Sequence, residues 1–346
     1  MLKATLEKSS RHDLVAECAK LFYKEKLAKN KVAERLSVSP MQVTRLIREA
    51  EKRGIVHVLI RGPRHREELQ KSLVESWKLQ KATVVDFCED YGELKRRLGR
   101  AAAAVFEDEV NLRVTPTVGI GGGSTIHELV ESVDAKSRSV TIYSTAMFGR
   151  GPDVTYFDSA YVATYLYLKC RPAAKAYIVG VPPLPSRRET AKRFSKMLYE
   201  SIPEVADVVD GARRVDVAFV GLGAFLPFDE IVRSMAKAGL TADVLKSRKV
   251  AGGINYNYFD ANGRQIGDYL LTVRVDDLRR LSADASKLVC LVAGGQHKIS
   301  AIRTALQSKM VNALVTDSKS AEELMTADEK VELDESNGEE ATNEKR

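Results

Sequence analysis

From residue 83 to residue 325 the chain alternates two kinds of segment, and this alternation leaves few folds open. Short runs rich in β-branched residues recur at 83–87, 114–120, 140–144, 176–181, 215–222, 287–293 and 312–315. Between them lie segments with apolar residues at helical spacing: 92–110, 125–133, 160–169, 187–200, 229–238, 275–281, 300–308 and 318–325. Strands this short, each followed by an amphipathic helix, bury their apolar sides only by lining up in a mostly parallel sheet covered by helices on both faces. The expected class is therefore α/β, with a Rossmann-like, mostly parallel sheet. One interruption is a hairpin over 256–272, whose turn is Asp260-Ala261-Asn262-Gly263.

In such sheets ligands bind beyond the carboxyl ends of the strands. Three stretches have the required chemistry. Gly121-Gly122-Gly123-Ser124-Thr125 joins a strand to a helix. Its glycines let backbone approach an anion, the helix start offers free N–H groups, and Ser124 and Thr125 add hydroxyls. No lysine follows, so it is not a Walker loop, and without an anion it is a tight turn. Ala293-Gly294-Gly295-Gln296-His297-Lys298 repeats the pattern and sets Lys298 at a helix start, where a cation is poorly placed unless an anion is bound. The third is Gly149-Arg150-Gly151, where Arg150 either clamps a phosphate or lies on loop surface.

The first sixty residues follow a different pattern. Val32, Ala33 and Leu36 give one short helix an apolar stripe, Ser37-Val38-Ser39 breaks it, and Ser39-Pro40-Met41-Gln42 reads as a capping box with proline at the first helical position. Val43, Leu46, Ile47 and Ala50 then share one face, while Met41, Arg45, Arg48 and Lys52 share the other. A short helix with a basic free face, delivered by a tight turn, suits the DNA major groove. Ser39, Met41, Gln42, Thr44, Arg45 and Arg48 are the expected contacts. A helix over 11–26, with Leu14, Cys18, Leu21 and Phe22 inward, completes a three-helix head. Residues 55–60 form an expected wing strand closed by Gly62-Pro63. The segment 64–79, with Leu69, Leu73 and Trp77 four apart, is a linker helix, a dimer contact or the first helix of the next domain.

Charge agrees with this division. The chain of 346 residues carries +7. Residues 1–66 hold sixteen Lys/Arg against seven Asp/Glu, a net +9, whereas 327–346 hold three against eight, a net −5. A basic module on a milder body implies a polyanion partner, and an RNA partner is disfavoured by the lack of an aromatic stacking surface on the head. The acidic, polar end lacks aromatics and is expected to be a disordered tail. Cys18, Cys88, Cys170 and Cys290 are far apart and form no metal-ligand or redox spacing. No apolar run approaches the ~18 residues a membrane span needs, and no signal peptide opens the chain. The expectation is a cytoplasmic protein without membrane association, cofactor or metal. Of the five histidines, His127 and His297 lie near the glycine loops, and no nucleophile–base pair or paired carboxylates stand at useful spacing. Catalytic residues are therefore expected to be absent.

The order VAERLSVSPMQVTRLIREAEKRGIVHVLI, LGRAAA, VGIGGGST, VAFVGLGAF, YNYFDANGRQIG, VAGGQHKISAIRTAL, NALVTD resembles the SorC/DeoR-type sugar-binding transcriptional regulators of bacteria over nearly the whole chain. That resemblance implies a winged helix-turn-helix head over 1–62, a linker helix over 63–82, an effector domain over 83–326 similar in fold to sugar-phosphate isomerases, and a tail over 327–346. It implies a phosphorylated sugar or polyol as effector, pseudo-palindromic operator DNA, and a homodimer or homotetramer. Carried over by motif, the phosphate meets Gly122, Gly123, Ser124 and Thr125 with Lys298 and Arg150, and Asp260 reads sugar hydroxyls. The fold kinship also keeps a second function in view, a sugar-phosphate isomerase or deaminase with a basic head.

Overall fold

The computed structural model describes residues 11, 13–56, 65–147, 158–180, 188–224, 247, 249–266 and 271–326. The expected wing strand beyond Val56, the Arg150 loop, the helix expected at 229–238 and the tail all fall outside these residues. The chain divides into two compact units, 1–62 and 63–346.

In the first unit, helix α1 (13–24) ends in a π-turn at Lys20–Lys24, followed by α2 (Lys29–Arg35) and α3 (Pro40–Lys52). Its core is Val15, Cys18, Ala19, Leu21, Val32, Ala33, Val43, Leu46, Ile47 and Ala50. Leu14 and Phe22, expected fully inside, are only partly buried, and Val15 and Ala19 take the inner positions. The turn between α2 and α3 is tight enough to place Ser37 at φ 53°.

The second unit opens with α4 (His65–Trp77), β1 (Lys81–Val85), α5 (Tyr91–Asn111), β2 (Thr117–Ile120), α6 (Ser124–Ser132), β3 (Thr141–Ser144), α7 (Ser159–Cys170) and β4 (Lys175–Tyr177). It continues with α8 (Arg188–Ser201), α9 (Pro203–Ala212), β5 (Val217–Gly221), β6 (Gly223–Ala224), β7 (Val250–Ile254), β8 (Asn257–Asp260) and β9 (Gln265–Ile266). It closes with α10 (Val275–Ala283), β10 (Leu288–Val292), a single 3-10 turn (Gln296–Lys298), α11 (Ile299–Gln307), β11 (Ala313–Asp317) and α12 (318–326). Seven strands form one sheet in the order β1-β11-β10-β5-β2-β3-β4, and every pairing in it is parallel. Four short strands, β6-β7-β8-β9, make a second, antiparallel sheet.

The sheet is buried on both sides, as an all-parallel sheet requires. One face packs a core holding Leu94, Phe106, Ile126, Leu129 and Leu166 from α5, α6 and α7. The other packs Leu278, Ile302, Leu306 and Leu324 from α10, α11 and α12. Leu69 and Leu73 of α4 belong to this second core together with Val84 of β1. The helix expected as a linker is therefore an integral layer of the second unit. Two features escaped the sequence. Helix α9 follows α8 directly through Ile202-Pro203, and β7 pairs with β8 across a two-residue turn at Asn255 (φ 49°) and Tyr256 (φ 61°). The hairpin expected about the Asp260–Gly263 turn forms between β8 and β9, and β7 pairs with the other edge of β8.

Small residues set the spacing of α5 and α6. A Cβ on Gly99 would lie 2.5 Å from the backbone of Glu128, so the two helices touch because position 99 has no side chain. This close crossing brings the first turn of α5 alongside the start of α6.

Candidate functional site

The direction of chain travel reverses between β2 and β5, neighbours at the centre of the sheet. From β2 the chain moves outward to β3 and β4, and from β5 it moves the other way, to β10 and β11. Such a switch point opens a crevice at the carboxyl ends of the two strands. What lines that crevice can be read residue by residue.

After β2 the Gly121 N–H donates to the Phe219 carbonyl at 2.8 Å, tying the loop to β5. Gly123 then turns at φ 106°, a backbone conformation that only glycine adopts cheaply, and forms the N-cap of α6. It has no side chain to cap the helix, and a Cβ placed on it would meet nothing within 4 Å. The start of α6 thus faces open space with its first-turn N–H groups uncapped, beside the half-buried Ser124 and the buried Thr125. Free N–H groups at a helix start, next to a hydroxyl, are suited to an anion.

Two strands away, the loop after β10 is built differently. Gly294 has no room for a side chain, since a Cβ would sit 2.5 Å from the Asp317 carboxylate. Gly295, at φ 96°, donates its N–H to that carboxylate at 2.7 Å and to Ser320 Oγ at 3.1 Å. Asp317 is fully buried and consumes this amide, so the second glycine turn offers its lysine rather than its backbone. Lys298 Nζ donates to the Leu222 carbonyl at 2.7 Å, at the end of β5. The lysine therefore crosses to the switch point from the neighbouring strand. Burial, and next the Lys298 ammonium, hold the His297 imidazole below its ordinary value.

The sequence did not point to α5, yet its first turn joins the two loops. Lys95 Nζ lies 3.4 Å from Ser124 Oγ and 5.3 Å from the centroid of the Tyr91 ring. Lys298 Nζ lies 5.8 Å from the same centroid, and the His297 ring packs edge-on against it at 4.9 Å. The only legible signal was the i, i+4 spacing of Tyr91 and Lys95 on a helix. A third segment supports the end of β2. Ser159 Oγ donates to the Ile120 carbonyl at 2.6 Å and accepts from the Thr145 N–H at 2.8 Å, while Thr145 Oγ1 donates to Asn255 Oδ1 at 2.9 Å.

The structure thus brings Gly122, Gly123, Ser124, Thr125 and Lys298 to one end of one sheet. Arg150 lies outside the described residues. Asp260 lies at the end of β8. Its Oδ1 accepts from the N–H groups of Asn262 (2.9 Å) and Arg264 (2.8 Å), closing the turn after β8. Gly263, at the tip, packs so closely on Ser308 that a Cβ would clash with its hydroxyl, and Arg279 bonds both the Gly263 and Ser308 carbonyls. Ser308 caps the C-terminus of α11 and Lys298 its N-terminus. Asp260 thus organises the turn after β8 through one carboxylate oxygen.

In the first unit the capping box forms as expected. Gln42 N–H donates to Ser39 Oγ at 3.2 Å, and Ser39 N–H donates to Gln42 Oε1 at 2.8 Å. Thr44 Oγ1 donates back to the Pro40 carbonyl at 3.2 Å. Three of the six expected DNA contacts are thus already engaged locally, and Met41, Arg45 and Arg48 stand exposed beside Lys52. The acidic residues of α3 are turned to the head itself: Glu49 pairs with Arg11 at 2.9 Å and with Arg53, and Glu51 accepts from Tyr23 Oη at 2.6 Å. The Arg11 hydrogen bond holds the Glu49 carboxyl below its ordinary value. Neutralising these carboxylates leaves the exposed face of α3 basic.

Among the described residues no group of three His, Cys, Asp or Glu side chains converges on a metal position, and no helix is long and apolar enough to cross a membrane.

Residues 63–326 match the Sugar-bind family model, described as "Putative sugar-binding domain". The chain is 23% identical over 322 residues to the deoxyribonucleoside regulator of Bacillus subtilis (strain 168), covering 91% of this chain and 98% of that protein. It is 24% identical over 326 residues to the sorbitol operon regulator of Klebsiella pneumoniae, covering 92% and 100%. The full-length crystal structure of the latter, SorC, superposes with a TM-score of 0.70 at 21% identity over 90% of this chain and 98% of that one, a likeness of fold. The chain therefore belongs to the sugar-binding domain family, and is of the SorC/DeoR type.

Proposed function

We propose that this protein is a DNA-binding transcriptional regulator whose operator affinity is set by a phosphorylated sugar or polyol. The observation that carries the reading is the presence, in one chain, of two complementary devices. One is a capped helix with an exposed face of Met41, Arg45, Arg48 and Lys52. The other is a switch-point crevice where an uncapped helix start, the Ser124 hydroxyl and the Lys298 ammonium lie at one end of a parallel sheet. The first suits the major groove and the second a small anion with a polyhydroxyl body. Family membership and the names of the relatives support regulation of sugar metabolism as the setting.

A single head reads a short half-site, so the working species is a homodimer or homotetramer on a pseudo-palindromic operator in the cytoplasm. Arg150, beyond the described residues, completes the phosphate contacts in this reading. Selection of genomic fragments by the purified protein identifies the operator. Fluorescence anisotropy on that fragment, with and without each member of a panel of sugar phosphates, then measures the coupling. A change in operator affinity with one sugar phosphate but not with its unphosphorylated parent is expected. Isomerisation or deamination of a panel member by the protein, with no effect on DNA binding, would replace this reading with an enzymatic one.

A further inference from the structure

We infer that Lys95 is a second cationic ligand for the effector's phosphate and makes the site selective for a dianion. The inference rests on the preceding assignment of the switch-point crevice to a phosphorylated effector.

Two half-buried ammonium groups approach one phenol ring. Lys95 Nζ is 5.3 Å and Lys298 Nζ 5.8 Å from the centroid of Tyr91, and among the described residues neither ammonium has a carboxylate within ion-pair distance. The carboxylates around them are otherwise engaged. Glu93 pairs with Arg96 and Arg97, Asp90 caps α5, and Asp317 holds Gly295 and Ser320. A ring quadrupole attracts each cation weakly and does nothing to separate them. Two ammonium groups beside one ring leave positive charge at the crevice, which an anion bound there compensates.

Position then decides which anion. Lys298 approaches from the β10 loop and bonds the end of β5. Lys95 approaches from α5 and stands 3.4 Å from Ser124 Oγ, at the first residue of α6. An oxygen of a phosphate seated on the uncapped N–H groups of α6 is therefore within reach of Lys95, and Lys298 stands beside the same Tyr91 ring. A phosphate monoester has its second ionisation near pH 6 and carries close to two negative charges at neutral pH. Two ammonium groups and a helix start match that charge, whereas a monoanion would leave one cation uncompensated. The Gly99–Glu128 contact brings α5 against α6, so the backbone that carries Lys95 stands beside the start of α6 before any effector arrives.

The test uses the full-length protein and calorimetric titration with the sugar monophosphate that most stabilises it in a thermal-shift panel, alongside the corresponding neutral sugar. Lys95→Gln, which keeps most of the stem, is expected to bind the monophosphate about tenfold more weakly. Lys95→Arg is expected to restore most of the affinity, and the melting temperature of both variants to stay near the parent's. In the His297→Gln background, which removes the imidazole titration, affinity should rise between pH 5 and 7 as the monophosphate becomes a dianion, and Lys95→Gln should flatten that rise. Lys95→Gln binding as tightly as the parent, or keeping the full rise, while Lys298→Gln is weakened, would overturn the role of Lys95 and leave the phosphate crevice standing. A parent stabilised by neutral sugars and by no monophosphate would overturn the crevice assignment and Lys95 with it.

Discussion

Lys298 Nζ and the Leu222 carbonyl oxygen lie 2.7 Å apart, joining the loop after β10 to the end of β5 across the sheet's switch point. The bond gives the lysine two tasks. It supplies a positive charge to the crevice, and it satisfies a partly buried carbonyl at the last turn of a core strand.

Lys298→Ala removes both. Affinity for a sugar phosphate is expected to fall roughly tenfold to a hundredfold, the value of one charge-assisted contact. Stability is expected to fall as well, by about 1 kcal/mol, because the Leu222 carbonyl loses its donor. Denaturant titration and calorimetry on the same preparation separate the two effects, and an unchanged midpoint with lost binding would mean that the Leu222 contact is idle.

Asp260 shows the opposite pattern. One oxygen of its carboxylate accepts from the N–H groups of Asn262 and Arg264 and closes the turn after β8. Asp260→Ala should cost about 1–2 kcal/mol of stability by opening the turn. Asp260→Asn, which keeps an acceptor at the same place, should cost much less. Neither should change the ranking of sugar phosphates. A variant that folds normally but confuses two sugars of different stereochemistry would return Asp260 to the effector site.

These two residues mark what a sequence can and cannot disclose. Gly123 and Lys298 were legible because their placement is local: a glycine-ended strand meeting a helix is written in consecutive letters, and parallel strands put every such turn at the same end of the sheet. The strand–helix alternation was legible for the same reason, through periodicity. Asp260 entered through the motif resemblance, and its bonds to the Asn262 and Arg264 N–H groups were not written in those letters, because an Asx turn and a hydroxyl reader use the same residue. Lys95 was hidden because its role comes from a helix crossing, set by Gly99 against Glu128, between elements that the sequence orders but does not position. Strand β7 was missed because Val250-Ala251-Gly252-Gly253-Ile254 has too little side chain to read as a strand. Its glycines are required by close neighbours, Gly252 by Ala301 and Phe259 and Gly253 by Tyr258.

His297 gives the crevice a pH dependence of predictable sign. Burial and the neighbouring Lys298 lower its value from 6.5, so the unfolded chain takes up the proton first as pH falls. The stability this neutral imidazole contributes is full above about pH 6.5 and is lost as pH falls from there through the lowered folded-state value. Melting temperature followed from pH 7.5 to 5 should therefore decline more steeply for the parent than for His297→Gln. Parallel curves would show that the ring is solvated enough to titrate normally.

The last prediction concerns the head. Arg45 and Arg48 are exposed on α3, three residues apart, on the face opposite Val43, Leu46, Ile47 and Ala50. The helix that carries them is fixed at its start by the Ser39–Gln42 box and at Glu49 by Arg11, so its basic face is presented rigidly. Residues near the N-terminal end of a recognition helix reach base edges, and those further along reach phosphates. Arg45 should therefore read a base, and Lys52, two turns on, the backbone. Arg45→Ala is expected to cost about 1–3 kcal/mol on the operator and to relax specificity at one position of each half-site. Lys52→Ala should weaken operator and random DNA alike and reduce the slope of log K against log salt by about one unit per head. Anisotropy titrations of both variants on the operator, a single-position mutant library and random DNA, at three salt concentrations, distinguish the roles. Equal losses on operator and random DNA for Arg45→Ala would make it a phosphate contact and move base reading to Met41 and Arg48.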